Sequence, residues 1–191
     1  MSTGATWLNA FFCSVTARTA GFNSIDYGGM SGAALLCTMV LMFIGASPGS
    51  AGGGVKTSTF GVLIAYSITR WLGHRNLNIF GRTIPQLSID RAAGVVISAV
   101  ALLIIVSSVL MAIETYYMTS KESQGSFLSI AFESISAFGT VGLSMGETAK
   151  IGTGSKLVLC IVMFLGRIGP LTLALAISPK PNEKQFRYPE E

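Results

Sequence analysis

The sequence contains few charged residues for its length. Only 12% of its 191 residues are Asp, Glu, Lys or Arg, whereas an ordinary soluble domain has about 25%. The charges are also unevenly placed, because the 22 residues Ala92–Ile113 contain none. As a helix, that run would extend about 33 Å, which is close to the hydrocarbon thickness of a bilayer. The scarcity of charge therefore excludes a soluble protein and predicts an all-α membrane protein.

Residue types that carry enzymatic or metal chemistry are scarce as well. The chain has one histidine, His74, and three cysteines, Cys13, Cys37 and Cys160. The sequence shows no nucleophile paired with a base and no metal-ligand spacing. We therefore predict that the protein is not an enzyme and holds no covalently bound cofactor. The cysteines are interpreted as reduced packing residues rather than a disulfide framework.

The net charge of +4 does not come from a basic face of the kind that binds nucleic acid, so no nucleic-acid partner is predicted. Instead, four arginines share one polar connection with His74: Arg70, Arg75, Arg82 and Arg91. Asp90 is the only acid there. Basic residues concentrate on the cytoplasmic side of membrane proteins. We predict that residues 73–91 form a cytoplasmic loop and that residues 178–191 form a cytoplasmic tail.

What the sequence does contain is an internal repeat. Thr19 aligns with Thr140, an offset of 121 residues. At that offset, without a gap, identical residues align: Ala10 with Ala131, Phe11 with Phe132, Gly21 with Gly142, Leu36 with Leu157, Met42 with Met163, Phe43 with Phe164 and Gly45 with Gly166. Each copy begins with a short apolar helix, predicted at residues 7–17 and 126–138. These segments are shorter than a bilayer is thick, so we predict that they are re-entrant.

A Thr-x-Gly turn follows each short helix, and its residues suit an ion-selectivity filter. Backbone carbonyls that point into a narrow axis can replace the water of a potassium ion. Glycine adopts the unusual backbone conformations that such a ladder of carbonyls requires, and threonine adds a hydroxyl oxygen. The short helix would aim the negative end of its dipole at the pore. A single Thr-x-Gly is more often an ordinary turn, but two copies in register favour the filter.

A glycine-rich break, Ala46–Lys56, interrupts the apolar stretch from Met30 to Leu72. As one straight helix that stretch would be about 65 Å long, so a bilayer requires a break or a steep tilt. The spacing does not fit a phosphate-binding loop, because Val55 separates Gly54 from Lys56. Irregular backbone at membrane depth is tolerated where it is buried in protein or lines a cavity. We interpret the break as a gate, and a passive helix break remains the alternative.

Two charged residues lie within apolar segments. Arg167 interrupts a spanning helix predicted at residues 157–177, and its counterpart in the first copy is Ala46. A charge at that depth is costly, so we expect Arg167 to hydrogen-bond carbonyls of the break or of a neighbouring repeat and to repel cations below the filter. A purely structural role is the alternative. Glu133 is expected to hydrogen-bond the second turn rather than to concentrate cations.

The segments SVTARTAGFN, FIGASPGSAGGGVKTSTFG, AFGTVGLSMG and FLGRIGPLT closely resemble the Trk/Ktr/HKT family of potassium transporters. The tail QFRYPEE looks most like that of a Ktr-type membrane subunit, and the chain as a whole is most similar to the C-terminal half of such a subunit. In that family four M1–pore helix–M2 repeats surround one axial pore. The resemblance implies a third filter segment (Thr19, Ala20, Gly21, Phe22, Asn23), a fourth filter segment (Thr140, Val141, Gly142, Leu143, Ser144), a gating loop (Gly45, Ala46, Ser47, Pro48, Gly49, Ser50, Ala51, Gly52, Gly53, Gly54, Val55, Lys56) and a pore arginine (Arg167).

The resemblance also implies an organisation and a set of partners. Residues 1–72 would be the third repeat without its M1 helix, and residues 92–177 the fourth repeat. Potassium would be the transported ion, held by backbone carbonyls only, with sodium as a candidate modulator. Expected partners are membrane lipid, the first two repeats or a second copy, and a dimer of full subunits on a cytosolic ring of nucleotide-binding RCK subunits. The protein would lie in the plasma membrane with its filter mouths outside.

Two other functions stay open from the sequence. One is a secondary transporter whose broken helix binds a small solute at the midplane of the membrane. The other is a truncated remnant without function. Two filter segments cannot enclose an ion, so we also expect that the chain does not conduct by itself.

Overall fold

The computed structural model describes residues 3–74, 77–79, 81–117 and 120–169, most of which are helical. The elements in chain order are α1 (Thr3–Thr16), a 3-10 turn (Tyr27–Gly29), α2 (Gly32–Phe43), α3 (Thr57–Trp71), β1 (Asn78–Ile79), β2 (Arg82–Thr83), α4 (Gln86–Tyr117), α5 (Ser120–Gly139), α6 (Glu147–Lys150) and α7 (Thr153–Ile168). The predominance of helix agrees with the predicted fold class. The two short strands are a departure from it.

Helix α4 contains the charge-free run that the sequence analysis identified. Within the described residues, Gln86–Thr115 is the one stretch long and apolar enough to cross a membrane. The helix begins at Gln86, so residues 86–91 of the predicted cytoplasmic loop 73–91 are helical. The strands lie in that loop and form an antiparallel hairpin in which Asn78 pairs with Thr83.

The bounds of three other helices differ from the predicted ones. Helix α1 begins four residues before the predicted Trp7. Helix α5 has 20 residues, whereas we predicted 126–138. The prediction followed the apolar run alone, and the polar residues before it continue the same helix. Helix α7 begins at Thr153 and is described up to Ile168. The rest of its predicted span to residue 177, and the tail 178–191, lie outside the described residues.

The predicted break between α2 and α3 is present. Helix α2 ends at Phe43, and the chain is not helical again until Thr57. Helices α2 and α7 begin at equivalent positions of the two copies, Gly32 and Thr153. Helix α7 nevertheless continues four residues past Phe164, the counterpart of Phe43. The two copies therefore diverge at the point where the first one enters its loop.

Helix α5 occupies the centre of the molecule, where it packs against α2, α4 and α7. Helix α1, its counterpart in the first copy, contacts α2 through few residues. The consequence is clearest at one pair of identical residues. Phe132 on α5 is 0% exposed, whereas Phe11 on α1 is 70% exposed. Helix α5 is thus enclosed by other helices at Phe132, whereas α1 exposes the equivalent apolar residue, Phe11.

Candidate functional site

The two Thr-x-Gly turns share an uncommon backbone conformation. Among the described non-glycine residues, positive φ angles occur only at Thr19 (63°) and Thr140 (51°). Gly21 and Gly142 also have positive φ angles, 76° and 90°. Positive φ is a genuine outlier for a β-branched residue and costs on the order of 1–3 kcal/mol. The surrounding structure imposes this conformation at the same two positions of both copies.

Hydrogen bonds from the preceding helix hold each turn. In the first turn, the N–H groups of Ala20 and Gly21 donate to the Thr16 carbonyl at 3.2 and 3.3 Å. The Thr16 hydroxyl donates to the Phe22 carbonyl at 2.5 Å. In the second turn, the N–H groups of Thr140 and Val141 donate to carbonyls of α5, each at 3.0 Å. The backbone of both turns is therefore fixed by the C-terminal end of a short helix.

The two turns lie against each other. A methyl group added at Gly21 would overlap the carbonyl oxygen of Val141, so only glycine allows this approach. A methyl group at Gly142 would find only the Gly21 Cα, at 3.9 Å. The remaining predicted filter residues follow these glycines: Phe22, Asn23, Leu143 and Ser144. Phe22 and Asn23 are exposed, whereas Leu143 is buried and Ser144 is half-buried.

The glycine-rich loop, residues 45–56, reaches both threonines. The Gly53 N–H donates to the Thr140 hydroxyl at 2.9 Å. A methyl group on Gly52 would lie 2.7 Å from Thr19 Oγ1, and one on Gly53 would lie 2.7 Å from Thr140 Oγ1. These contacts leave no room for a side chain at either glycine. The loop therefore closes directly onto the end of both turns that carries the threonine hydroxyls.

The loop has an anchored base, a buried limb and an exposed tip. At its base, the Gly45 N–H donates to the Val55 carbonyl at 2.8 Å, and the Val55 N–H donates to the Phe43 carbonyl at 3.2 Å. Gly53, Gly54 and Val55 are buried in the limb. The tip is exposed and comprises Ser47, Pro48, Gly49, Ser50 and Ala51, while Ala46, Gly52 and Lys56 are half-buried.

Glu133 braces the other end of the second turn, as expected. Its carboxylate accepts hydrogen bonds from the Ser144 hydroxyl, the Met145 N–H at 3.2 Å and the Thr148 hydroxyl at 2.7 Å. The side chain is buried, at 6% exposure. Its described donors are all neutral, so the residue holds the chain after the turn in place.

Three buried polar residues near the turns escaped the sequence analysis. Thr16 ties the first turn to α1. Glu114 is buried and accepts hydrogen bonds from the Ser155 hydroxyl at 2.6 Å and from the Gly152 N–H at 3.2 Å. Tyr27 is fully buried, and burial raises its pKa to about 12, with the Cys13 thiol adding to the shift. The sequence position of Glu114 could have identified it as a candidate buried residue, because it is the first charged residue after the 22-residue apolar run.

Arg167 does not hydrogen-bond the loop carbonyls, which are one of the two partners expected for it. It lies exposed in the last turn of α7, and it forms no hydrogen bond or ion pair with any residue that the structure describes. The loop carbonyls are instead bound by Lys56, whose ammonium donates to Gly52 at 2.5 Å and to Ser50 at 3.3 Å. Lys56 reaches these oxygens because it is the N-cap residue of α3 and directly follows the limb of the loop.

Comparison with known sequences identifies the family. The family model for TrkH, a cation transport protein, matches residues 1–188. The chain belongs to the TrkH cation transport family. It is 43% identical to the potassium/sodium uptake protein NtpJ of Enterococcus hirae over 96% of this chain. It is also 39% and 40% identical to the Ktr system potassium uptake protein B of Vibrio alginolyticus and of Bacillus subtilis, over 100% and 95% of this chain.

Family membership makes the chain part of a membrane protein, and these relatives are named as transporters rather than enzymes. The matches cover 40%, 40% and 38% of the three relatives. This chain therefore spans about two fifths of their length.

Proposed function

We propose that this TrkH-family chain forms half of a potassium-translocating pore, with the two Thr-x-Gly turns as two of its filter segments. The main support is that two turns in contact with each other have positive φ angles at equivalent positions, Thr19 and Gly21 in one turn and Thr140 and Gly142 in the other. Strained backbone that recurs at equivalent positions is expected where carbonyl oxygens must face a shared axis. The names of the relatives support potassium as the transported ion, and sodium, which one of those names includes, stays a candidate modulator.

The proposed organisation follows the repeat. Residues 1–72 would hold one pore helix, filter and inner helix, and residues 92–177 an outer helix, pore helix, filter and inner helix. Helices α1 and α5 would be the re-entrant pore helices. The basic loop 73–91 and residues 178–191 would face the cytoplasm, with the filter mouths outside, because arginines concentrate in that loop.

Two further pore segments are needed to surround an ion. The exposed face of α1 around Phe11 supports this proposal, since the same face of α5 is enclosed by neighbouring helices. The segments would come from two more repeats or from a second copy of the chain. A dimer of complete subunits, surrounded by lipid and regulated by a cytosolic RCK ring, is the assembly that the family resemblance implies.

Substitution of the filter glycines tests this function. The complex purified through this chain would be reconstituted into liposomes with Gly21→Ser or Gly142→Ser, and the uptake of potassium and sodium would be compared. We expect the preference for potassium to fall toward parity, because a serine side chain disturbs the carbonyl geometry at a positive φ position. Unchanged selectivity in both variants would remove the filter assignment.

The loop 45–56 is proposed as the gate of this pore. Gly52 and Gly53 of this loop lie against Thr19 and Thr140 at the inner end of the proposed filter, where the loop would block passage. The variant Gly53→Ala adds a methyl group 2.7 Å from Thr140 Oγ1 and 3.1 Å from the Gly166 carbonyl oxygen, so it should displace the limb. We expect higher basal potassium uptake in liposomes. Ser47→Ala, at the exposed tip, is the matched control, and equal uptake by both variants would contradict a gate.

A further inference from the structure

One peptide group of the loop is bound at both of its ends. The Gly52 carbonyl accepts a hydrogen bond from Lys56 Nζ at 2.5 Å, and the Gly53 N–H donates to Thr140 Oγ1 at 2.9 Å. These two groups belong to the same peptide bond. A trans peptide is planar, so its C=O and N–H point in opposite directions. A single peptide plane therefore connects the Lys56 ammonium to a threonine of the second turn.

We propose that Lys56 is a positioning residue that fixes the orientation of the Gly52–Gly53 peptide and so sets the charge that the loop presents to the filter. This inference rests on the proposed function of the loop as a gate. In the observed orientation, the positive N–H end faces Thr140. A half-turn of the peptide would present the carbonyl oxygen instead, which is the group that replaces the water of a cation. Glycines on both sides make such a rotation sterically cheap.

Lysine selects the observed orientation because its ammonium only donates hydrogen bonds. It stabilises a carbonyl that points toward it and would oppose an N–H in the same place. A second bond, to the Ser50 carbonyl at 3.3 Å, holds the ammonium within the loop. The backbone beside it is anchored as well, because the Thr57 N–H donates to the Ala46 carbonyl at 3.4 Å. Lys56 thus occupies carbonyl oxygens that could otherwise bind potassium.

The Thr140 hydroxyl is the other half of this arrangement. Its oxygen accepts the Gly53 N–H, and it is also an oxygen that the proposed filter offers to an ion. While the loop is docked, part of the acceptor capacity of that oxygen is taken and a positive dipole faces the inner end of the filter. The loop would then exclude a cation through its charge as well as through its bulk.

Charge removal at Lys56 tests the proposal in the complex purified through this chain and reconstituted into liposomes. We expect Lys56→Met to raise basal rubidium uptake roughly tenfold, which is the equilibrium change expected on loss of a hydrogen bond to a charged group. Lys56→Arg should retain uptake near that of the unmodified protein, because guanidinium also donates to carbonyls. Lys150→Met is the matched control, since that lysine is exposed and pairs only with Glu147 among the described residues.

The result for Gly53→Ala separates this proposal from the gate itself. If Gly53→Ala raises uptake and Lys56→Met does not, the gate stands and the role of Lys56 is overturned. If neither variant raises uptake, both the role of Lys56 and the proposal that the loop is a gate are overturned. Equal increases for Lys56→Met and Lys56→Arg would also overturn the proposal, because the charge would then be irrelevant. Should Lys56→Met fail to assemble, Lys56→Gln gives the same comparison with a neutral polar side chain.

Discussion

Gly21 and Gly142, the glycines of the two Thr-x-Gly turns, are equivalent in sequence, but their surroundings differ within this chain. Gly21 and Gly142 both have positive φ angles, so any side chain at either position strains the backbone. Gly21 in addition faces the carbonyl of Val141, whereas a methyl group at Gly142 meets only a Cα at 3.9 Å. The energetic demand for glycine is therefore larger at the first turn than at the second.

This difference predicts unequal effects on the stability of the isolated chain. Gly142→Ala should cost about 1–2 kcal/mol for its left-handed conformation, and Gly21→Ala should cost more because it also overlaps a carbonyl oxygen. Thermal unfolding of the chain in detergent measures both. Gly94→Ala is the control, since it lies inside α4 with open space around it and alanine favours a helix. A Gly142→Ala variant as unstable as Gly21→Ala would contradict the geometry of the turns.

At the scale of elements, the segment that follows each turn is held in a different way. After the second turn, α6 is joined to α5 through the carboxylate of Glu133. After the first turn, Asp26 accepts from the Gly28 N–H at 3.0 Å and caps the 3-10 turn locally. The counterpart of Glu133 in the first copy is Phe12, which cannot accept hydrogen bonds. The segment after the second turn is therefore braced by a buried carboxylate of its helix, whereas the first turn is tied to its helix through Thr16.

Removal of this brace should loosen the second turn. Glu133→Ala removes a buried carboxylate that accepts hydrogen bonds from three donors, and we expect a loss of about 2 kcal/mol in the free energy of unfolding. Glu133→Gln retains an acceptor and should cost less. Thermal unfolding in detergent again provides the measurement, with Glu147→Gln as control because its pairing with exposed Lys150 contributes less than about 1 kcal/mol. Equal destabilisation by the Ala and Gln variants would argue against a hydrogen-bonding role.

At the scale of the whole molecule, the two copies pack head to tail. Helix α2 of the first copy contacts α5 of the second, and this contact buries Met42 together with Phe132. Both equivalents are exposed: Met163 on α7 is 44% exposed and Phe11 on α1 is 70% exposed. The chain therefore leaves one side of this contact uncovered at each end.

We accordingly expect no potassium uptake from this chain alone. Expression in a bacterium that lacks potassium uptake tests this, with membrane insertion checked by detection of the chain in the membrane fraction. Growth at low potassium would contradict the prediction and would favour a second copy as the source of the other segments.

In the complete pore, Gly142→Ala should become as harmful to uptake as Gly21→Ala, because a neighbouring turn would then face Gly142.

The sequence predicts the elements of this fold better than their contacts. The offset between Thr19 and Thr140 was sufficient to predict two turns of the same conformation, and the Gly-rich run was sufficient to predict a break in the helix. The predicted length of α5 is wrong, because the polar residues that precede the apolar run are part of the same helix. The sequence does not predict that Lys56, rather than Arg167, binds the loop carbonyls, because these contacts depend on distances that spacing along the chain does not reveal.

The bond between Gly53 and Thr140 has a thermodynamic consequence. An ion at the innermost position and the loop would draw on the same hydroxyl oxygen, so each must weaken the binding of the other by an equal factor. Raising external potassium would then favour release of the loop without any signal from the cytoplasm. A transporter built in this way would respond to its own cargo.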